Sequence, residues 1–266
     1  MSMNQSKSCL VVVMAAVLFL AGCASIQSTN SQAELLTSSD QTDNQKRAQV
    51  RLQLAIGYYE QGQMNVALDE IKQALQVDPN FADAYGMRAL IYMNMGETSL
   101  AEDNFKRAIK LAPNNPDLTN NYGWFLCQSG RESQSIAYFD ATLKNRAYQS
   151  PAKALNNAGA CSLKLKDDVA AERYLTQALQ YDPGNFDTNV NLAKLHYGRR
   201  DYQKARFYIG RVTKSDGSSP GVLWMAIKVE RKLSDRSAET RLVTQLRRHH
   251  PNSPEYAAYL RGAFDE

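Results

Sequence analysis

Four cysteines occur in the 266-residue chain, and their positions assign them to different chemistry. Cys23 follows Leu20-Ala21-Gly22 at the end of an unbroken apolar run from Leu10 to Ala21. A polar start carrying Lys7, an apolar stretch and small residues ahead of the cut are the parts of a secretory signal. In bacterial lipoproteins the chain is cut in front of such a cysteine, and the freed residue becomes the attachment point for acyl chains. The 12 apolar residues here are too few to cross a bilayer, which takes about 20. A core helix ending in this tetrad by chance would carry polar residues on one face, and the run has none. Each buried CH₂ adds about 0.8 kcal/mol, so a Cys23 bearing two or three chains is stably anchored. Residues 1–22 therefore read as a signal peptide and Cys23 as the lipidated first residue. Ala24, where an aspartate would act as a retention signal, resembles an outer-membrane address, so the expected location is the outer membrane, facing the periplasm.

Cys9 leaves with the signal, so Cys127 and Cys161 remain. Without a His, Asp or Glu cluster beside them they cannot fill a tetrahedral metal shell, and no metal or other cofactor is expected. Nucleophilic and general-base chemistry find equally little. There are 3 histidines. His196 falls in the register slot that holds Tyr58 and Tyr92 earlier in the chain, which suggests packing, and His249 and His250 end a helix, where cationic groups are favourable. No His-Glu-x-x-His, glycine-rich phosphate loop or Gly-x-Ser-x-Gly occurs. The expectation is a non-enzyme without a small-molecule substrate.

The elements that must position these residues follow from an internal period. Residues 23–45, rich in Ser, Gln, Thr, Asn and Asp, cannot bury enough surface to offset their ordering entropy and read as a tether from the lipid. From 46 to 266, blocks begin at Ala48, Ala82, Pro116, Ala152, Phe186 and Pro220, with steps of 34, 34, 36, 34 and 34 residues. A unit of about 34 residues with small side chains at fixed offsets is the tetratricopeptide signature, two antiparallel helices that approach closely. Ala55, Ala67 and Ala74 carry it in the first block, Ala89, Ala101 and Ala108 in the second, Gly159, Ala171 and Ala178 in the fourth. The third has Ser135 and Thr142 in place of alanines, and the sixth keeps little beyond Val243, Leu246 and Pro251. The predicted fold is an all-α superhelix of six helix-turn-helix units. Two extra residues near Tyr148 to Pro151 loosen its regularity. A last helix over 253–262, with Tyr256, Tyr259 and Leu260 on one side, closes the end.

This register places Cys127 and Cys161 in the first helices of adjacent units. In an oxidising compartment that predicts a disulfide; two buried thiols acting as small apolar residues are the alternative.

What remains for function is binding, since a solenoid presents a concave groove lined by the first helix of each unit. The groove positions hold Leu52, Ile56 and Tyr59 in unit one, Met87, Leu90 and Met93 in unit two, and Trp124 in unit three. That apolar strip suits an amphipathic helix or an extended apolar peptide. Offset 6 repeats as Asn121, Asn157 and Asn191, whose amides offer donor and acceptor to a peptide backbone. Alternatively, the strip covers Leu35 and Leu36 of the tether and the asparagines bond one another.

Charge is uneven. The formal net charge is +4, but from Lys194 onward 15 basic face 8 acidic residues. A basic C-terminal half suits lipid headgroups, acidic polymer or an acidic protein surface; nucleic acid is excluded by compartment.

The lipidation tetrad, the six units, the runs Asn121-Tyr122-Gly123-Trp124-Phe125-Leu126-Cys127 and Leu155-Asn156-Asn157-Ala158-Gly159-Ala160-Cys161, and the ending Ser253-Pro254-Glu255-Tyr256 together resemble the PilF/PilW family of type IV pilus biogenesis and stability lipoproteins. The resemblance spans nearly the whole mature chain. It implies a pilotin that binds subunits of the pilus secretin, accompanies them to the outer membrane through its lipid, and supports their assembly into the ring used in twitching motility. It also implies that the partner surface is the groove of the first units, at Leu52, Ile56, Tyr59, Met87, Leu90 and Met93. An adaptor for another envelope machine, such as outer-membrane protein assembly or cell-wall synthesis, is the second reading.

Overall fold

A computed structural model of the protein describes residues 41–213 and 218–264. The expected signal peptide, Cys23 and the tether as far as residue 40 lie outside the described residues.

Thirteen α-helices and no strand make up the described residues. The first unit pairs α1 (Asp43–Glu60) with α2 (Met64–Val77), the second α3 (Ala82–Asn94) with α4 (Thr98–Leu111), the third α5 (Pro116–Gln128) with α6 (Glu132–Lys144). The fourth pairs α7 (Pro151–Lys164) with α8 (Asp168–Tyr181), the fifth α9 (Phe186–Gly198) with α10 (Tyr202–Val212), the sixth α11 (Pro220–Lys232) with α12 (Arg236–His249), and α13 (Pro254–Arg261) follows. First helices contact first helices of neighbouring units, and each second helix also packs on the next unit, giving the expected superhelical stack.

The small residues are where the period places them. Ala55, Ala67, Ala89, Ala101, Ala171, Ala193 and Ala205 are completely buried, as is Ser135 in the third unit, whose hydroxyl donates to the carbonyl of Glu132. In unit six Ile227 occupies the slot of Ala55 and Ala89, which explains why its pattern is weak.

One boundary differs from expectation. The tether was expected to run to residue 45, but α1 begins at Asp43, because Thr42 and Gln45 form a capping box. The Thr42 Oγ1 accepts from the Gln45 N–H at 3.2 Å while the Thr42 N–H donates to Gln45 Oε1 at 2.9 Å. Two orphan donors are thereby satisfied, which starts the helix ahead of its first buried residue.

Units also differ in how their helices are joined. The left-handed residue after the first helix is Gly62, Gly96 and Gly130 in units one to three, but Lys166, Arg200 and Ser234 in units four to six. In those later units the next residue is Asp167, Asp201 or Asp235, whose carboxylate caps the second helix, whereas Gln63, Glu97 and Arg131 supply no side-chain cap.

The two extra residues widen the connection over 145–150, where Tyr148 turns inward and is buried. Its hydroxyl has no hydrogen-bond partner among the described residues. Burial, with Asp117 nearby, raises its pKa to about 12.

At the far end α13 caps the core as expected, but with a different residue set. Tyr256, Tyr259 and Phe264 pack on Leu223, Trp224, Ile227 and Leu246, whereas Leu260 is 67% exposed. The left-handed Gly262 turns the chain so that Phe264, beyond the helix, reaches Trp224 at 5.1 Å.

Candidate partner-binding groove

A cavity of about 360 Å³ opens between the first helices of units one to three. Leu52, Ile56, Met87, Leu90 and Asn121 line it, together with Gly86, Leu118, Gln49, Gln53, Asp83, Asn115 and Asp117. Leu52 and Met87 are only 5% and 8% exposed, so they form its floor rather than its contact surface. Ile56 and Leu90 are half-buried and are the apolar groups a ligand meets first.

The floor depends on Gly86. A Cβ there would stand 2.3 Å from Leu118 Cδ2, so the absence of a side chain lets unit three lay Leu118 against unit two. Asn115 starts α5 by accepting from the N–H groups of Asp117 and Leu118, and its amide donates to Asp83 at 3.0 Å. One side chain thus fixes the helix end and the rim carboxylate together. Burial raises the Asp83 carboxyl above its ordinary range against that hydrogen bond, and Asp117 adds like charge.

The other expected groove residues, like Ile56 and Leu90, pack partly on the buried clusters beneath them. Tyr59 packs against the buried cluster shared by units one and two, Met93 against the one around Phe105 and Phe125, and Trp124 against the one that contains the two cysteines. Those cysteines are joined: Cys127 and Cys161 form a disulfide with Cα atoms 5.9 Å apart, both fully buried. The bridge ties the C-terminal half of α5 to that of α7, across the boundary between units three and four.

Amides of the asparagine ladder bond to asparagines of the neighbouring unit. Asn157 donates to Asn120 Oδ1 at 3.2 Å, and Asn120 donates to Asn121 at 3.4 Å. Asn191 donates to Asn156 Oδ1 at 3.1 Å, an oxygen that also accepts from Thr188 Oγ1. The amides of Asn157 and Asn191 therefore stitch first helices across unit boundaries. Each bond runs from offset 6 of one unit to offset 5 of the unit before it, so it is the paired asparagines Asn120-Asn121 and Asn156-Asn157 that bring the amides within reach of each other.

Reading the groove from apolar positions missed its polar rim. Gln49, Asp83 and Asp117 all sit at offset 2 of their units, so the register alone marks them as groove residues.

His196 is buried, its ring stacked 5.4 Å from that of Tyr208. Burial lowers its pKa despite Glu172 and Asp201 nearby, which keeps the imidazole neutral and its role one of packing.

Tetratricopeptide-repeat family models match residues 82–115, 104–137 and 163–224, and a further TPR repeat model matches 57–96. The type IV pilus assembly protein PilF of Pseudomonas aeruginosa is 26% identical over 208 residues, covering 78% of this chain and 82% of that protein. Among solved structures, PilW, described as a widely conserved type IV pilus biogenesis factor, superposes with a TM-score of 0.74 at 29% identity, covering 80% of this chain and 98% of PilW. The structure of P. aeruginosa PilF gives 0.71 at 25% identity, covering 83% of this chain and 100% of that one.

Proposed function

From the premise that this chain is a non-catalytic tetratricopeptide-repeat protein related to the type IV pilus biogenesis proteins PilF and PilW, we propose that it acts as a lipid-anchored pilotin for the pilus secretin. The observation that carries this reading is the cavity between the first three units, with an apolar floor and two half-buried apolar side chains at its mouth. A single Leu-sized side chain buried there contributes about 1.5–3 kcal/mol, and a segment with two or three anchors reaches useful affinity. The solenoid holds the groove rigid, so little ordering cost falls on the receptor side. Acyl chains on Cys23 then convert holding into delivery: a secretin subunit bound in the groove is retained at the outer membrane while it joins its ring.

Two variants separate the parts of this mechanism. Ile56→Asp with Leu90→Asp places carboxylates at the groove mouth without disturbing the fully buried core, and should abolish co-purification of secretin from solubilised envelopes. Cys23→Ser should leave that co-purification intact while secretin multimers fail to accumulate in the outer membrane. Secretin still captured by the folded double variant removes the groove assignment. Capture of other envelope proteins with no secretin favours the adaptor reading instead.

A further inference from the structure

The groove is apolar below and acidic above, in a chain whose formal net charge is +4. Its only charged lining residues are Asp83 and Asp117, and neither makes an ion pair among the described residues. Elsewhere carboxylates at helix contacts are compensated: Glu70 by Arg51, Glu102 by Arg131, Glu172 by Arg199 and Glu230 by Arg206. At the groove the neutral amide of Asn115 alone supports Asp83. Two like charges held on one rim, facing partly desolvated apolar surface, repel each other and lack the cation that relieves such pairs elsewhere in the molecule.

We propose that Asp83 and Asp117 select a partner segment in which a Lys or Arg flanks the apolar side chain seated between Ile56 and Leu90. This rests on the groove being the partner site and adds the chemistry of what it takes. The cation reaches the rim while its apolar neighbour descends toward Leu52 and Met87, so one short amphipathic stretch satisfies both surfaces. An acidic segment of equal hydrophobicity is rejected at the same rim, which gives specificity that an apolar cavity by itself lacks.

The test is a random dodecapeptide library selected on the full-length chain in detergent micelles and counter-selected on the Leu90→Ala variant. Peptides that survive should carry Lys or Arg within a few residues of a large apolar side chain. They should bind Asp83→Asn with Asp117→Asn about tenfold more weakly than the unaltered chain at low salt. The difference should shrink at high salt as screening weakens the pair. Both substitutions are near-isosteric, so circular dichroism should show an unchanged fold. Survivors that are neutral or acidic, or that bind the double variant equally well, overturn the inference, as does a selection yielding no Leu90-dependent peptide. Because the library contains no secretin, a confirmed cation preference beside a failed secretin capture would sink the pilotin reading while leaving this one standing.

Discussion

Leu175 fills the space that a side chain on Gly159 would need: a Cβ there would stand 2.5 Å from Leu175 Cγ and 2.6 Å from its Cδ2. Both residues are buried in unit four, where α7 meets α8. The clash is with the branch point of a fully buried leucine, which cannot simply swing away. Gly159→Ala should therefore destabilise by about 1–3 kcal/mol even though alanine is the better helix former. Gly57 in α1 has nothing within 4 Å of such a Cβ, so Gly57→Ala should stabilise by roughly 0.5–1 kcal/mol. Urea midpoints of the two variants check this, and midpoints shifting in the same direction would sink the packing argument.

The helix joints make a second prediction. Lys166, Arg200 and Ser234 hold φ near +60° (58°, 60° and 59°), a region that an ordinary side chain enters at a cost and glycine enters freely. Replacing any of them by glycine should stabilise by about 1 kcal/mol. In the first unit the deficiency is reversed: Gly62 is free of strain, but Gln63 gives α2 no side-chain cap. Gln63→Asp should gain about 1 kcal/mol by reproducing the cap that Asp167 makes to the Ala170 N–H. Thermal melts of the four single variants measure both effects, and a loss of stability in any glycine variant contradicts the first.

The Cys127–Cys161 bridge closes a sequence separation of 34. In the chain-entropy account, closing such a loop is worth about 4 kcal/mol in an unstrained fold. Cys127→Ser with Cys161→Ser should lower the unfolding free energy by about 2–4 kcal/mol, with the loss removed when the unaltered chain is measured under reducing conditions. Equal urea midpoints for oxidised and reduced protein would mean the bridge adds nothing to stability.

Much of this architecture was legible in the 34-residue period. Stacked alanines and glycines, the six unit starts and the neighbouring cysteines all follow from packing that repeats with each turn of the solenoid. What escaped the period was set by contacts that do not repeat. Thr42 and Gln45 start α1 early through a local capping box, a signal present in the sequence but masked by the polar composition around it. Leu260 matched the apolar face of α13, yet the turn at Gly262 brings Phe264 back onto Trp224 and leaves Leu260 in solvent. The apolar residues mark the groove cavity, and Asp83 and Asp117, which apolar patterning passes over, line it as well. The asparagines were placed correctly in register, but register alone does not say whether an amide faces a ligand or its own repeat.

The swap at the C-terminal end is itself testable. Phe264 contacts Trp224 and Tyr259, and the Arg231 guanidinium lies 3.9 Å from its ring centre. Phe264→Ala should cost about 1–3 kcal/mol, less than a fully buried phenylalanine, because the ring is only partly covered. Leu260→Ala should stay within about 0.5 kcal/mol of the unaltered chain. Proteolysis of the last helix followed by mass spectrometry reports the same contrast locally, and equal susceptibility of the two variants would contradict it.

Glu102 sets an acid-dependent term at the joint of units two and three. Its Oε1 lies 3.0 Å from Arg131 and 2.9 Å from Lys106, and hydrogen bonds from these two hold its pKa down at about 2, against an ordinary 4.5. A carboxylate depressed on folding stabilises the folded state above its unfolded pKa and loses that contribution as pH falls through the folded value. The window is therefore from 4.5 down to about 2. The pair stands near solvent, so its worth is roughly 0.5–1 kcal/mol. Glu102→Gln should lower the urea midpoint at pH 7, with the gap from the unaltered chain narrowing below pH 4.5 and nearly closed by about 2. High salt should shrink the gap at neutral pH by screening. A gap that holds constant or widens on acidification would show that Glu102 acts by packing rather than by charge.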